Sequence, residues 1–180
     1  MDNNKFISKI ELNNLNNFQQ IILCYLFCIK MLPQYEFFYK KTNWGDLMLL
    51  KNTLETVRNY ILNQENINNF QAKLKEVYNI IPNSDLVQSD YTLYAYNSSA
   101  SIYYLANAVV SGKNENLFYI PQLSMESAFL FTQDLMFNSI YDNRELNDFR
   151  SARIKISDNN LANKEIECFQ FNELIDLSLV

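Results

Sequence analysis

Histidine is absent from the sequence, so the side chain that most often serves as a general base, a metal ligand or a pH switch is missing. Carboxylates, lysine, cysteine and tyrosine could still support catalysis. Among nucleophile–base pairs only Ser–Lys remains, and no spacing of those residues stands out. We therefore expect a protein that is not an enzyme and that binds neither a cofactor nor a metal ion.

Glycine and proline are scarce, with two and three residues respectively in a chain of 180. Sheet-rich folds need these residues at tight turns, and phosphate-binding loops need several glycines. Their scarcity favours an all-α protein and excludes a glycine-rich phosphate loop. An apolar content of 48% is sufficient for a sizeable core, and the length fits one helical domain over residues 1–180.

Cysteine is also rare, and its odd count of three fits a reducing compartment. Cys24 and Cys28 are four residues apart on one face of a helix, where a disulfide has poor geometry. A metal site would need two further ligands, and Cys168 is the only other thiol. We expect Cys24 and Cys28 to pack in the core.

The sequence shows no secretory signal and no membrane-spanning run. Its start lacks a basic stretch followed by an apolar one, and the longest apolar run, residues 21–29, is too short for a bilayer. We therefore expect a cytoplasmic protein that does not bind a membrane. The sequence predicts no oligomeric state.

Positive charge is in deficit, and the net charge of −5 is distributed unevenly. Residues 1–80 carry +2, and residues 81–180 carry −7. An acidic domain is a poor match for nucleic acid, whereas it attracts a basic protein. The other interpretation is an ordinary solvated surface. The carboxylates that we select as candidate partner-binding residues lie in two groups: Asp85 and Asp90, and Asp142, Glu145 and Asp148.

Three segments in the first half show apolar residues in steps of three and four, which is typical of helices. Their stripes are Leu15, Phe18, Ile22, Tyr25, Ile29 and Leu32; Leu47, Leu50, Leu54, Val57 and Ile61; and Ile67, Phe70, Leu74, Val77 and Ile81. Asn13 or Asn14 would cap the first helix, and Pro33 would end it. A short helix over residues 34–41 would follow, and Pro82 would stop the third long helix.

The turn between the first two long helices contains four residues to which we assign structural roles: Pro33, Trp44, Gly45 and Asp46. Pro33 would stop the preceding helix, and residues 43–45 would make the turn. Asp46 would cap the next helix through its carboxylate. Trp44 would cover the junction, because an apolar residue just before a cap commonly packs on the following turn.

The second half is less regular. Residues 83–90 predict a loop that ends in a cap, and the segment after it predicts a central, buried helix that ends at Gly112. The next helix would begin at residues 124–126, with Ala128, Phe131 and Leu135 on one face. Residues 141–163 could be irregular or contain a short strand, and the last residues fit a helix. The whole chain predicts a single-domain bundle of about six to eight helices.

Tyrosines at 91, 94, 96, 103 and 104 have two interpretations. They could form an aromatic binding surface, because tyrosine offers both area and a hydroxyl at interfaces. They could equally line the edge of a helical core. We assign Tyr94 to the core and leave the others open.

The same turn carries a family resemblance. The order Met31-Leu32-Pro33, then Tyr35 and Phe38, then residues 42–46 resembles the YjaG-like bacterial family of unknown function (domain of unknown function 416). Members of that family read M-Y-P-x-Y-x-x-F and T-G-F-G-D; here Leu32, Asn43 and Trp44 depart from the pattern. The resemblance runs from about Phe6 to Ile140. It implies an all-helical single domain and assigns no catalytic residue.

Two functional hypotheses follow. The first is a non-enzymatic helical binding protein, in its most specific form an immunity or antitoxin-type protein that neutralises a basic, nuclease-like toxin through an acidic face. The second is a housekeeping bacterial protein with a small-molecule or carboxylate–metal site between helices.

Overall fold

Five helices, and no strand, make up the part of the chain that the computed structural model describes: residues 12–63 and 70–138, with side chains to residue 130. They are α1 (Asn17–Thr42), α2 (Leu47–Asn63), α3 (Gln71–Asn79), α4 (Thr92–Ser111) and α5 (Tyr119–Asn138). The all-α class is confirmed, with five helices in this part against the six to eight predicted for the whole chain. The alternatives for residues 141–163 and the C-terminal helix lie outside the described residues.

Helix α4 is central and packs against all four other helices. It runs antiparallel to α1: Asn114, just after α4, bonds to Gln20 near the start of α1, with 3.1 Å between Nδ2 and Oε1. At the opposite ends, the rings of Phe37 and Tyr91 meet edge to face, with centroids 4.9 Å apart. Gly112 ends α4 with φ +68°, as predicted. The prediction of a buried central helix is confirmed.

The start of α1 lies later than predicted, because Asn16 rather than Asn13 or Asn14 is its cap. The Asn16 side chain accepts from the backbone N–H of Gln19 at 2.9 Å, and the Gln19 side chain accepts from the Asn16 backbone N–H at 3.1 Å. This reciprocal capping box needs Gln or Glu three residues after the cap. Asn13 and Asn14 have asparagine at that position, whereas Asn16 has Gln19.

The predicted break at Pro33 is wrong, because α1 continues through it to Thr42 and no separate helix covers residues 34–41. A proline inside a helix removes one backbone hydrogen bond and crowds the carbonyl of Ile29, at a cost of about 3 kcal/mol. Beyond it, however, Tyr35 and Phe38 are completely buried on the continued helix. Each such burial contributes about 1.5–3 kcal/mol, so packing outweighs the local penalty.

Replacing Pro33 by alanine should therefore stabilise the protein, by about 1–2 kcal/mol: the helix regains about 3 kcal/mol, less about 1 kcal/mol for a more flexible unfolded chain. Urea unfolding would show a higher midpoint at unchanged slope. Pro121 is the matched control, because it lies in the first turn of α5, where proline is tolerated. Pro121→Ala should leave stability unchanged or slightly lower. A lower midpoint for Pro33→Ala would mean that the ring itself is needed for packing.

Helix α1, with 26 residues, is the one helix in the described ranges that is long and apolar enough to span a bilayer by length and composition. The buried core helix of a soluble protein passes the same test. In α1, 67% of the apolar window is buried within the protein, mainly against α4. Its apolar character is therefore accounted for by the bundle core.

The junction between α1 and α2 follows the prediction at Asp46. Its carboxylate accepts from the backbone N–H of Leu49 at 2.8 Å, which caps α2. Asn43 ends α1 in the left-handed conformation, with φ +53°. Trp44 covers the junction, but its ring packs edge-on against Phe38 of the preceding helix, with centroids 6.1 Å apart. Gly45 has φ +89°.

Two boundaries in the second half differ from prediction. Helix α5 begins at Tyr119, five residues before Ser124. A proline in the first turn costs no hydrogen bond, and the buried Ile120 anchors this turn. Ala128 is exposed, whereas the neighbouring Ser127 is buried, so Ser127 rather than Ala128 faces the core; the side chains of Phe131 and Leu135 lie outside the described residues.

The loop before α4 is confirmed, but the predicted cap at its end is not. Helix α4 begins after Tyr91, whose side chain makes no capping bond, and Asp90 is exposed. Instead, the Ser89 hydroxyl accepts from the backbone N–H of Tyr91 at 3.3 Å. A buried aromatic residue thus occupies the cap position, because packing against Phe37 fixes the helix start.

Candidate interaction surface

The candidate acidic residues are only partly within the described ranges. Asp85 and Asp90 are exposed in the loop between α3 and α4. The carboxylates at positions 142, 145 and 148 lie outside the described residues. Within residues 12–63 and 70–130, no group of three or more His, Cys, Asp and Glu side chains could hold a metal ion.

Cys24 and Cys28 are both buried and free, which confirms their assignment to the core. Burial raises the pKa of each thiol above its usual value, and for Cys28 the nearby Cys24 raises it further. A thiol with a raised pKa is a poor nucleophile, because the reactive species is the thiolate. These cysteines therefore do not form a reactive site.

The tyrosines divide between core and surface. Tyr91 and Tyr94 are buried, so the assignment of Tyr94 to the core is confirmed. Tyr96 is 37% exposed, and Tyr103 and Tyr104 are half-buried on the outward side of α4. Tyr91 and Tyr94 therefore belong to the core, whereas Tyr96, Tyr103 and Tyr104 lie at the surface.

Tyrosines from three helices form a continuous row of rings across this outward face. Tyr78 of α3 packs on Tyr103 with centroids 5.5 Å apart, Tyr103 on Tyr104 at 5.8 Å, and Tyr104 on Tyr119 of α5 at 5.5 Å. Tyr78 and Tyr119 are 60% and 40% exposed. We call Tyr78, Tyr103, Tyr104 and Tyr119 the tyrosine row. Its rings are supported by helices on both sides, so they form a rigid aromatic surface.

The tyrosine-rich segment of the sequence predicts the two members of the row on α4, but not Tyr78 or Tyr119. Each of the missed tyrosines is isolated in its own segment, with no other tyrosine in the same helix. They join the row only because α3 and α5 pack on opposite sides of α4. No local signal in the sequence marks them.

The hydroxyls of the row are close enough to influence one another. Burial raises the pKa of Tyr104, and the neighbouring hydroxyls of Tyr96 and Tyr119 raise it further. The Tyr104 hydroxyl therefore stays protonated at neutral pH and can both donate and accept hydrogen bonds. The row presents flat apolar rings with neutral polar tips, which is the chemistry enriched at protein interfaces.

Most exposed apolar side chains of the described part belong to α3, α4, α5 and the loops between them. Eight large hydrophobic side chains in the described part are exposed, and seven of them lie between residues 78 and 129. Those seven are Tyr78, Leu86, Leu93, Tyr96, Tyr119, Met125 and Phe129. Two of them, Tyr78 and Tyr119, belong to the tyrosine row.

Acidic residues outnumber basic ones in the part of the sequence that contains most of the row. Helix α4 contains no charged residue. Residues 76–143 contain one basic residue, Lys113, and seven acidic ones. Glu126 lies seven residues after Tyr119, on the same exposed face of α5, whereas the exposed Lys75 lies one turn before Tyr78 on α3. The row therefore has an acidic neighbour at its α5 end and a basic one at its α3 end.

Comparison with known proteins places the fold. A family model described as a protein of unknown function (DUF416) matches residues 8–175, further towards the C-terminus than the resemblance that ended near residue 140. A crystal structure of a DUF416 family protein from Shewanella baltica OS155 is similar, with a TM-score of 0.65 and 21% identity, covering 99% of this chain and 90% of that one. A search of curated proteins found no match. The chain belongs to the DUF416 family, whose function is unknown.

Proposed function

We propose that this chain is a non-enzymatic protein-binding domain that engages its partner through the tyrosine row. The observation that carries the proposal is the row itself: four tyrosines from three helices, in mutual ring contact and open to solvent. Tyrosine supplies large contact area with few rotatable bonds, so little conformational entropy is lost on binding. The row is also held by packing before any partner arrives, which lowers the cost of association.

The partner that fits this surface is a basic protein. Lysine and arginine side chains stack favourably on tyrosine rings, and the surrounding carboxylates attract them over a longer range. The charge of −7 over residues 81–180 supports that attraction. A nucleic acid partner is disfavoured by the same charge.

We also propose that the protein is not an enzyme. The sequence has no histidine, and the two described cysteines are buried with raised pKa values. A cytoplasmic location is proposed on the cysteine count and the start of the sequence.

The most specific form of the proposal is an immunity or antitoxin-type protein that neutralises a basic, nuclease-like toxin. Its support is the charge of −7 over residues 81–180 together with the aromatic surface in the same half. Tight enzyme inhibitors combine a rigid apolar centre with complementary charge at the rim. Asp85 and Asp90, which are exposed, would supply part of that charge.

The test is to look for a toxin gene beside this one, to co-express its toxin domain with this chain, and to purify the complex at increasing salt. We expect a stable complex whose association rate falls as salt rises. Reversing the charge of Asp85 and Asp90 together should also slow association. The absence of a toxin gene nearby, or of a complex with its product, contradicts the immunity form.

Within such a complex, Tyr103→Ala and Tyr104→Ala should each weaken binding by about 30-fold or more, as expected for central aromatic residues of an interface. Tyr39 of α1 is the matched control, because it is also half-buried but lies outside the row. Dissociation constants from surface-based kinetics would check this. Equal losses for Tyr39→Ala and Tyr104→Ala, or no loss in either row variant, would exclude the tyrosine row as the interface.

A further inference from the structure

The tyrosine row brings oxidisable rings from different helices into contact. Tyr104 of α4 and Tyr119 of α5 have ring centroids 5.5 Å apart, with 33° between the ring planes. Other tyrosine rings of the described part, such as those of Tyr35 and Tyr60, meet phenylalanine instead. Phenylalanine has no hydroxyl, so it cannot be oxidised to a phenoxyl radical. The row therefore allows a chemistry that those other contacts do not.

The hydroxyl ends of Tyr104 and Tyr119 also lie near each other. Burial raises the pKa of Tyr104, and the hydroxyls of Tyr96 and Tyr119 raise it further. Electrostatic effects between groups near the surface fade within a short distance, because water and salt screen them. The rings of Tyr104 and Tyr119 therefore meet with their hydroxyls on the same side. Phenoxyl radicals couple at the ring carbons next to the hydroxyl, and those carbons lie on the neighbouring ends of the two rings.

Packing holds this pair of rings in place and leaves one of them open to solvent. The ring of Phe118 stacks on Tyr119 with centroids 3.9 Å apart, and Tyr103 packs on Tyr104 at 5.8 Å. Tyr119 is 40% exposed, so an oxidant in solution can reach it, and Tyr104 is half-buried beside it. Groups held in contact react as if they were at very high concentration. Coupling within this pair is therefore favoured over coupling between two molecules.

We propose that Tyr104 and Tyr119 form a site of oxidative cross-linking, at which one-electron oxidation joins the two rings by a carbon–carbon bond. The oxidant class is a haem peroxidase with hydrogen peroxide. Each phenol gives up one electron and its hydroxyl proton, and the two radicals couple at their ortho carbons. The hydrogens on those carbons then move to the oxygens, which restores both hydroxyls. The two electrons and two protons that are released reduce one hydrogen peroxide to two waters.

This bond would connect the central helix α4 to the start of α5. It would close the stretch of chain between positions 104 and 119 into a covalent loop. A disulfide that closes a loop restricts the unfolded chain and so stabilises the folded one, and a bond between two rings should act in the same way. The site is a property of the chain itself, so it goes beyond the proposed protein partner and does not depend on it.

Peptide mapping tests the proposal directly, because Lys113 lies between the two tyrosines in the sequence. The full chain at micromolar concentration is treated with a haem peroxidase and hydrogen peroxide, then denatured and digested with trypsin. Cleavage after Lys75, Lys113 and Arg144 separates residues 76–113 from residues 114–144. We expect these two peptides to be joined in monomeric protein, with a mass that is two hydrogen atoms below their sum. No joined peptide, or joined peptides in cross-linked dimers alone, overturns the proposal.

Tyr104→Phe and Tyr119→Phe should each lower the yield of joined peptide by at least about tenfold, because one radical of the adjacent pair cannot form. Both variants keep the ring, and circular dichroism would check that they fold. Loss of the joined peptide in Tyr119→Phe also excludes Tyr141, the other tyrosine of the second peptide. Hydrogen peroxide without the peroxidase should give no joined peptide, since it does not take single electrons from phenols.

Tyr96→Phe is the matched control. Tyr96 lies in the same peptide as Tyr104 and is 37% exposed, but it is outside the row. The yield of joined peptide from this variant should equal that of the unmodified chain. An equal loss in Tyr96→Phe, or an unchanged yield in Tyr104→Phe or Tyr119→Phe, contradicts the assignment of the bond to positions 104 and 119.

Discussion

Replacing Gly45 by alanine is expected to destabilise the protein by about 3–4 kcal/mol, which is one of the two largest effects that we anticipate. Gly45 has φ +89°, a conformation that residues with a Cβ adopt only with strain, at a cost of about 1–2 kcal/mol. A Cβ at this position would also overlap the hydroxyl of Tyr35 and come within 3.2 Å of its ring carbon Cζ. Backbone strain and steric overlap therefore act together at one residue.

The overlap matters because the Tyr35 hydroxyl connects three parts of the chain. It donates to the carbonyl of Ile80 after α3, at 3.3 Å, and the backbone N–H of Asp46 bonds to it. Burial raises the pKa of this hydroxyl to about 12, so it remains a donor at neutral pH. Its ring is completely buried and cannot move aside freely. Displacing the hydroxyl would cost about 1 kcal/mol or more for the lost hydrogen bonds.

Gly112 supplies the matched control for Gly45. It also has a positive φ, +68°, but a Cβ there would meet nothing within 4 Å. Gly112→Ala should therefore cost only the strain of about 1 kcal/mol. Chemical denaturation of both variants would measure the difference.

A double variant separates overlap from strain. Tyr35→Phe removes the hydroxyl, so it should recover about 1 kcal/mol of the loss caused by Gly45→Ala when the two changes are combined. The junction can rearrange around the new methyl group if the alanine variants at Gly45 and Gly112 lose similar unfolding free energy. The same conclusion follows if the effects of the changes at positions 35 and 45 simply add.

The α1–α2 junction shows which parts of the fold were accessible from the sequence. The capping role of Asp46 and the left-handed Asn43 follow from local chemistry, and both are present. The helix break predicted at Pro33 is absent. The free-energy cost of a proline inside a helix can be read from the sequence, but the compensating burial of Tyr35 and Phe38 depends on residues far along the chain. At this junction, local rules therefore predicted the start of α2 correctly and failed at Pro33, where buried residues opposed them.

The candidate surface shows the same division. The α4 tyrosines were visible as a cluster in the sequence, but which of them faced outward depended on the position of α1. Tyr78 and Tyr119 are separated by 40 residues, and they join one row only through packing on α4.

The second large effect is expected at Phe38. Phe38→Ala should lower the free energy of unfolding by about 3–5 kcal/mol, since a completely buried ring is lost and a cavity remains. The ring lies between those of Tyr35 and Trp44, with centroids 5.9 and 6.1 Å away, so both neighbours lose their support. Phe129, which is 61% exposed, is the matched control, and its replacement by alanine should cost under about 0.5 kcal/mol. Urea unfolding would compare the two. Equal losses of unfolding free energy in the two variants would contradict this prediction. They would mean that burial of Phe38 does not offset the cost of Pro33 within α1.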